Sequence, residues 1–408
     1  MDSLAYVFSL EQFGIKFGLD NIRALLGRLG NPDQAFRSIH IAGTNGKGSV
    51  TAMVDAVLGR AGHRSARYTS PHLVDVSERF VVEGRPVNAD ELRRSAADVR
   101  DVIESMIADG TLPARPTFFE ATTAMAFDLF RNARVEFGVI EVGLGGRLDS
   151  TNVIDPIVTA ITSIDFDHQQ YLGDTLAAIA AEKAGIIKEG VPVVVGDVAP
   201  DAYDVIARVA RGRHAELIRS SDGQRDYGPL HLGLRGEHQV ANANVALRVL
   251  ETLERGGVHI GLDAIRDGLA NVAWPGRLDH RRLADGREVV LDAAHNPAGA
   301  RALASYVRGL GVAKPTLVFG AMRDKDVDGM LTVLLPEFAR VFVTKPSSPR
   351  SADPEELASR IRKIVPSLDV SVVASPHAAV AEATRSSSLT VIAGSIFLLG
   401  DVIREIGT

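Results

Sequence analysis

The chain has 408 residues, 46% hydrophobic and 24% charged, with a formal net charge of −6 and no cysteine. That length exceeds one ordinary hydrophobic core, so two or three domains are expected. The acidic balance gives no electrostatic case for a nucleic-acid partner, no apolar run approaches the roughly 20 residues that span a bilayer, and disulfides and cysteine chemistry are excluded.

The opening residues Met1-Asp2-Ser3-Leu4-Ala5-Tyr6 lack the basic and then apolar layout of a secretion signal, so the expected location is the cytoplasm. Residues 1–30 read as helical, with Ile22, Leu25, Leu26 and Leu29 on one stripe and Gly30-Asn31-Pro32 as the stop. Ile39 and Ile41 then read as a short buried strand. It runs into Gly43-Thr44-Asn45-Gly46-Lys47-Gly48-Ser49, and Val50, Met53, Val54, Val57 and Leu58 follow at helical spacing. Strand, glycine loop with lysine, and helix is the arrangement that holds nucleotide phosphates. Backbone N–H groups turn inward on the anion and the helix N-terminus adds partial positive charge. Lys47 is placed to reach the outer phosphates and Ser49 to ligate magnesium. Gly43 and Gly46 are closer together than in the usual pattern, and Gly48 stands between the lysine and the hydroxyl residue. The plain alternative is a glycine-rich turn.

Further on, Thr69-Ser70-Pro71-His72-Leu73 reads as a turn after a strand. Residues 89–109 read as a polar amphipathic helix, and Phe118-Phe119-Glu120 opens another that runs to about Asn132. Phe137 to Val142 is a strand buried on both faces, and Glu141 interrupts it near its carboxyl end. A charge there is costly unless it meets a cation, and ligands of open α/β sheets gather at that end, so Glu141 is a candidate metal ligand. Gly143-Leu144-Gly145-Gly146-Arg147-Leu148-Asp149 follows as a flexible loop. Ile157 to Ile161 is the next strand, ending in Asp165-Phe166-Asp167-His168, where carboxylate and imidazole suit a divalent metal or form a solvated loop. Lys183 lies on the alanine-rich face of a helix closed by Gly185, where an unpaired ammonium is costly. Val191 to Val195 is another strand, residues 197–235 carry little signal, and Gly236 opens a helix containing Asn242 and Asn244.

Trp274-Pro275-Gly276-Arg277-Leu278 reads as a domain boundary, dividing the chain into 1–275 and 276–408. The strand from Glu288 ends in Asp292-Ala293-Ala294-His295-Asn296-Pro297, which places Asp292 and His295 at a strand end. Strands near 316–319, 340–343, 370–373 and 389–393 then alternate with helices, the pattern of a doubly wound domain with a largely parallel sheet.

Gly-Thr-Asn-Gly-Lys-Gly-Ser at 43–49 resembles the phosphate loop of the Mur ligase superfamily, and its wording is similar to the folylpolyglutamate synthase and dihydrofolate synthase branch. Thr69-Ser70-Pro71-His72-Leu73, Phe118-Phe119-Glu120, Glu141 through Asn152, Asp167-His168, Glu182 through Lys188 and Pro275-Gly276-Arg277 resemble that family's motifs in the same order. The resemblance implies an N-terminal P-loop ATPase-type α/β domain, followed by a smaller Rossmann-like doubly wound domain that closes over ATP and glutamate. It implies an ATP-dependent amide ligase joining L-glutamate to dihydropteroate or a reduced folate through an acyl phosphate. Nucleotide contacts fall to the phosphate loop, Asn242 on the adenine, Arg277 and Asp292. Ser49, Ser70, Glu141 and His168 would hold two magnesium ions, with Lys183 carbamylated. Phe118, Glu120, Leu148 and Asp149 would line the acceptor site, and Lys47, Lys183 and His295 carry the catalytic roles. The family further implies a monomer with small-molecule substrates and no membrane partner. Two other readings remain open at this point: a Mur-type ligase acting on a cell-wall precursor, and a P-loop NTPase without ligase chemistry.

Overall fold

The strands of the chain sort into two sheets. A computed structural model describes residues 2–14, 16–112, 114–222, 225–283 and 286–406. One unit comprises Met1–Ile164, Leu172–Leu232 and Ala241–Val272, and the other Asp165–Tyr171, Gly233–Val240 and Ala273–Thr408. The second unit is therefore assembled from three stretches of sequence.

The first unit holds β1 (Arg37–Ala42), β2 (Ser65–Tyr68), β3 (Phe80–Val82), β4 (Arg85–Pro86), β5 (Phe137–Glu141), β6 (Pro156–Ile161), β7 (Val193–Val195) and β8 (Leu217–Arg219). Their spatial order is β4-β3-β2-β5-β1-β6-β7-β8. From β2 to β8 neighbours run parallel, and β3 and β4 add an antiparallel edge. β5 is buried along its length and β1 at every residue but Arg37, because helices cover both faces of a parallel sheet. The helices Ala89–Ala108 and Phe118–Asn132 start with capping boxes, Asn88 with Glu91 and Thr117 with Glu120. Their apolar sides, including Val99, Ile103, Phe127 and Phe130, pack around Tyr68, Phe80 and Ile140. The helices Leu176–Ala184 and Pro200–Gly212 bring Ile179, Ala180 and Ile206 onto Ile161, Val193 and Val195. Ile41 pairs with Glu141, and Ala42 with Ile161. The loops after β1, β5 and β6 therefore leave the sheet along one edge, its carboxyl end.

The second unit holds β9 (Asp279–Arg282), β10 (Glu288–Leu291), β11 (Thr316–Phe319), β12 (Arg340–Val343), β13 (Asp369–Val372) and β14 (Leu389–Ala393), in the order β13-β12-β11-β14-β10-β9. All neighbours are parallel except β9 with β10. Leu291 pairs with Ile392 and Phe319 with Ala393, so the loops after β10, β11 and β14 also share an edge. This is the doubly wound α/β arrangement that the strand–helix alternation implies. The short elements β3, β4, β8 and β9 and the helix Pro200–Gly212 add to what the sequence reading assigns. Two to four residues of strand are too few to show a period.

Candidate active site

The carbonyls of the loop between β1 and the helix Lys47–Arg60 are engaged within the chain. Gly43 O accepts from Lys47 Nζ at 3.1 Å and from Lys183 Nζ at 2.9 Å, and Thr44 O from Lys47 Nζ at 3.3 Å. Asn45 O accepts from Thr162 Oγ1 at 2.6 Å and Ser163 Oγ at 3.0 Å, and Gly46 O accepts the Val50 N–H. That last bond is the first of the helix, so the N–H groups of Lys47, Gly48 and Ser49 have no intrahelical acceptor. A loop with engaged carbonyls and a helix N-terminus in front is an anion cradle. Gly46 has φ +85°, where a side chain would be strained, and a β-carbon there would overlap Asn242 Oδ1. Asn242, the adenine candidate, thus packs on the loop backbone itself.

Glu141, 5% exposed at the end of β5, accepts the Ser70 N–H at 3.1 Å. Three of the four predicted metal ligands, Ser49, Ser70 and Glu141, therefore belong to the first unit, and the last two are in direct contact. They offer one carboxylate and two hydroxyls. Such hard oxygen donors suit magnesium when phosphate oxygens complete the set. Among the described residues no group of three or more His, Asp and Glu side chains is gathered into a metal cage. Lys183, 4% exposed, spends its contact with Gly43 O inside this first unit.

In the second unit Asp292, 6% exposed, accepts the N–H groups of Leu278 at 2.9 Å and Ala294 at 3.0 Å. Burial raises its carboxyl above the usual value, against the pull of the neighbouring Arg277 guanidinium. Leu278 sits at φ +46°, a left-handed conformation that its bond to Asp292 holds beside Arg277. Asp167 is the other hub. Lys325 Nζ lies 2.6 Å from its Oδ1, Asn296 Nδ2 3.1 Å and His295 Nε2 3.4 Å from its Oδ2. Burial alone would raise the Asp167 carboxyl, but the His295 ring, Lys325 and His168 outweigh it and hold it well below the usual carboxylate range. Lys325 also donates to His168 Nε2 at 3.2 Å, so one ring nitrogen of this candidate metal ligand faces a cation. His168 stands at φ +50°. The Nδ1 of His295 donates to Ala293 O at 2.8 Å, which fixes the ring.

The family described as the Mur ligase, glutamate ligase domain, matches residues 276–396. The dihydrofolate synthase/folylpolyglutamate synthase of Bacillus subtilis is 33% identical over 99% of this chain and 98% of its own. The chain belongs to the folylpolyglutamate synthase/dihydrofolate synthase family. The fold agrees: a Mycobacterium tuberculosis folylpolyglutamate synthase complexed with ADP and AMPPCP superposes with a TM-score of 0.90 at 34% identity, covering 100% of this chain and 99% of that one. A bifunctional folylpolyglutamate synthase/dihydrofolate synthase with Mn, AMPPNP and L-glutamate bound gives 0.86 at 30% identity, covering 99% of this chain and 98% of that one.

Within that family frame, two of the expected acceptor-site residues have a first duty inside the chain. Glu120 Oε2 takes the Thr117 N–H at 2.7 Å and the Thr117 hydroxyl at 2.9 Å, completing the helix cap. Asp149 takes the N–H groups of Leu144 at 2.8 Å and Thr151 at 3.0 Å, closing the glycine loop. Phe118 stacks on Phe8 with ring centroids 5.5 Å apart and lies under the Arg79 guanidinium, while Leu148 is half-buried in the loop. Sequence reading did not single out Lys325, Thr162 or Ser163. Their only local signal is position, each lying just past a strand end.

Proposed function

We infer that the chain is an ATP-dependent acid–amino-acid ligase. It joins L-glutamate to a folate-type carboxylate, dihydropteroate or a reduced folate, and uses ATP with a divalent metal. The observation that carries this reading is the carboxyl edge of the first sheet. There a phosphate cradle, Glu141 and Ser70 come together in a chain similar to folylpolyglutamate synthases over nearly its whole length.

The chemistry begins with two anions that repel, a carboxylate and a triphosphate. Lys47 and the free N–H groups of the helix Lys47–Arg60 bind and orient the triphosphate, Asn242 holds the adenine, and Arg277, set by Leu278 and Asp292, adds charge to the phosphates. The acceptor carboxylate attacks the γ-phosphorus, forming an acyl phosphate and releasing ADP. The amine of L-glutamate then attacks the acyl carbon, the amide forms, phosphate leaves and the amine gives up a proton. His295, fixed through Nδ1 and facing Asp167 through Nε2, orients glutamate or moves that proton. Phe118 and Leu148 give the acceptor apolar walls, which Glu120 and Asp149 hold in shape.

Ser49, Ser70 and Glu141 would hold one magnesium and His168 a second; bound magnesium supplies positive charge beside the phosphates. Carbamylation of Lys183 by CO2, in which the ammonium loses two protons in all, would leave an N–H that can keep the Gly43 bond and would add a carboxylate to this set. The same reading takes the enzyme as a monomer, which the family resemblance implies, working in the cytoplasm. No described helix is long and apolar enough to cross a membrane.

Phosphate release from Mg-ATP, with dihydropteroate or tetrahydrofolate and with or without L-glutamate, tests the reading. Turnover that needs both substrates supports it, and the preferred pterin names the acceptor. Release indifferent to both sinks it and leaves an NTPase.

A further inference from the structure

β1 carries a histidine in the middle of its buried run. His40 is fully buried, its Nε2 lies 2.8 Å from Thr151 Oγ1, and its Nδ1 has no hydrogen-bond partner among the described residues. Thr151, itself fully buried, belongs to the short turn Ser150–Val153 that ends the glycine loop. The direction of each bond follows from its neighbours. Both Asp149 oxygens already accept N–H groups, so the carboxylate takes the Thr151 hydroxyl hydrogen rather than supplying one. That hydroxyl has no second hydrogen to give, so the imidazole is the donor. His40 is thus held as the Nε2–H tautomer. Burial, aided by Lys188, pushes its ionisation down to about 3, so the ring is neutral.

The chain of bonds His40 to Thr151 to Asp149 ends on the N–H of Leu144, three residues past Glu141. The stretch it closes holds Gly143, Gly145 and Gly146, residues with the most backbone freedom to lose. Its outer part is tied separately, by the Arg147 N–H to Glu182 O at 2.8 Å. The inner part, Gly143 to Gly146, is held by Asp149, whose side chain takes the Leu144 N–H and whose own N–H goes to Gly146 O, and Asp149 is bonded in turn to Thr151.

We propose that His40 is a positioning residue for the acceptor substrate: by donating to Thr151 it anchors, through Asp149, the loop that carries Leu148. The proposal rests on the ligase reading above and deepens it. β1 then serves both substrates, with the phosphate loop at its end and the acceptor loop tethered to its middle.

The test is steady-state kinetics of the full chain as wild type, His40→Leu, His40→Gln and Thr151→Val, with acceptor and ATP varied separately. His40→Leu is expected to raise the acceptor KM about five- to tenfold, the size of one buried hydrogen bond, and to leave the ATP KM within about twofold. His40→Gln keeps an N–H donor near the same place and is expected to restore most of the acceptor KM. Thr151→Val matches His40→Leu, and the double variant adds nothing further. An unchanged acceptor KM, an ATP KM that rises equally, or no rescue by glutamine overturns the proposal. If the wild type does not ligate, the ligase reading fails instead. Imidazole 15N spectra supply a readout independent of turnover. A protonated Nε2 at His40 from pH 5 to 8, altered by Thr151→Val, is expected, and a protonated Nδ1 refutes the anchor.

Discussion

His40 makes a quantitative statement about stability. Its folded ionisation lies at about 3 and its ordinary value is 6.5. The folded chain therefore binds fewer protons at this ring than the unfolded chain does, and stability is lost as pH falls from 6.5 toward 3. From 6.5 down to pH 5 the loss is about 1.4 kcal/mol per pH unit, or about 2 kcal/mol in all. The figure barely depends on where below 5 the folded value lies, because the ring is neutral in the folded chain throughout that span. His40→Gln removes the titration and keeps a polar donor. Native-state hydrogen exchange at the β1 amides reads the opening free energy of this strand without requiring the whole chain to unfold in one step. Between pH 7 and pH 5 the wild-type value should fall about 2 kcal/mol further than that of His40→Gln. Equal falls in the two proteins would mean that His40 is accessible or already charged, and would refute the reasoning.

Gly46→Ala forces a side chain into a left-handed conformation, at a cost of about 1–2 kcal/mol, and drives its methyl into Asn242 Oδ1; ATP affinity by calorimetry should drop about tenfold or more. Adding Asn242→Ala should recover part of that loss if the overlap dominates and none if the backbone does. Lys325→Met leaves Asp167 buried without its cation, so urea denaturation should show a loss of about 3–5 kcal/mol. Asp167→Asn in the same background should return some of it, and no effect of either change would remove the hub from consideration. Glu141→Gln can still accept the Ser70 N–H but removes the ligating charge. The magnesium concentration for half-maximal phosphate release should rise about tenfold or more, and an unchanged magnesium dependence would exclude Glu141 as a ligand.

Much of the site is legible in the chain because its groups are local. Gly43 to Ser49 brings loop, lysine and hydroxyl within seven consecutive residues, and Glu141 declares itself as a charge inside an apolar strand. What escapes is long-range. Lys325 finds Asp167 across 158 residues, and nothing near either one announces the other. His40 is a polar residue between two isoleucines of a strand, indistinguishable by pattern from a packed core histidine until Thr151 is placed against it. Thr162 and Ser163 look like ordinary strand-end residues, yet their hydroxyls donate to Asn45 O in the glycine loop. Glu120 and Asp149 show the opposite difficulty: a motif names them, while the bonds they make are a helix cap and a loop closure. In the fold, β3 and β4 are too short to carry a period, whereas the longer alternation after Glu288 reads plainly.

The three-part makeup of the second unit has a consequence in time. Asp167 and His168 are synthesised with the nucleotide cradle, but the ammonium that settles them, Lys325, comes 158 residues later. At about 5–20 residues per second that gap is roughly 8 to 30 s of translation. During it the nascent chain can complete its phosphate cradle, while the Asp167 carboxylate and the His168 imidazole wait in water for the ammonium that pairs with them. A ribosome that stalls in this interval releases a nucleotide-binding half with an unsettled strand end.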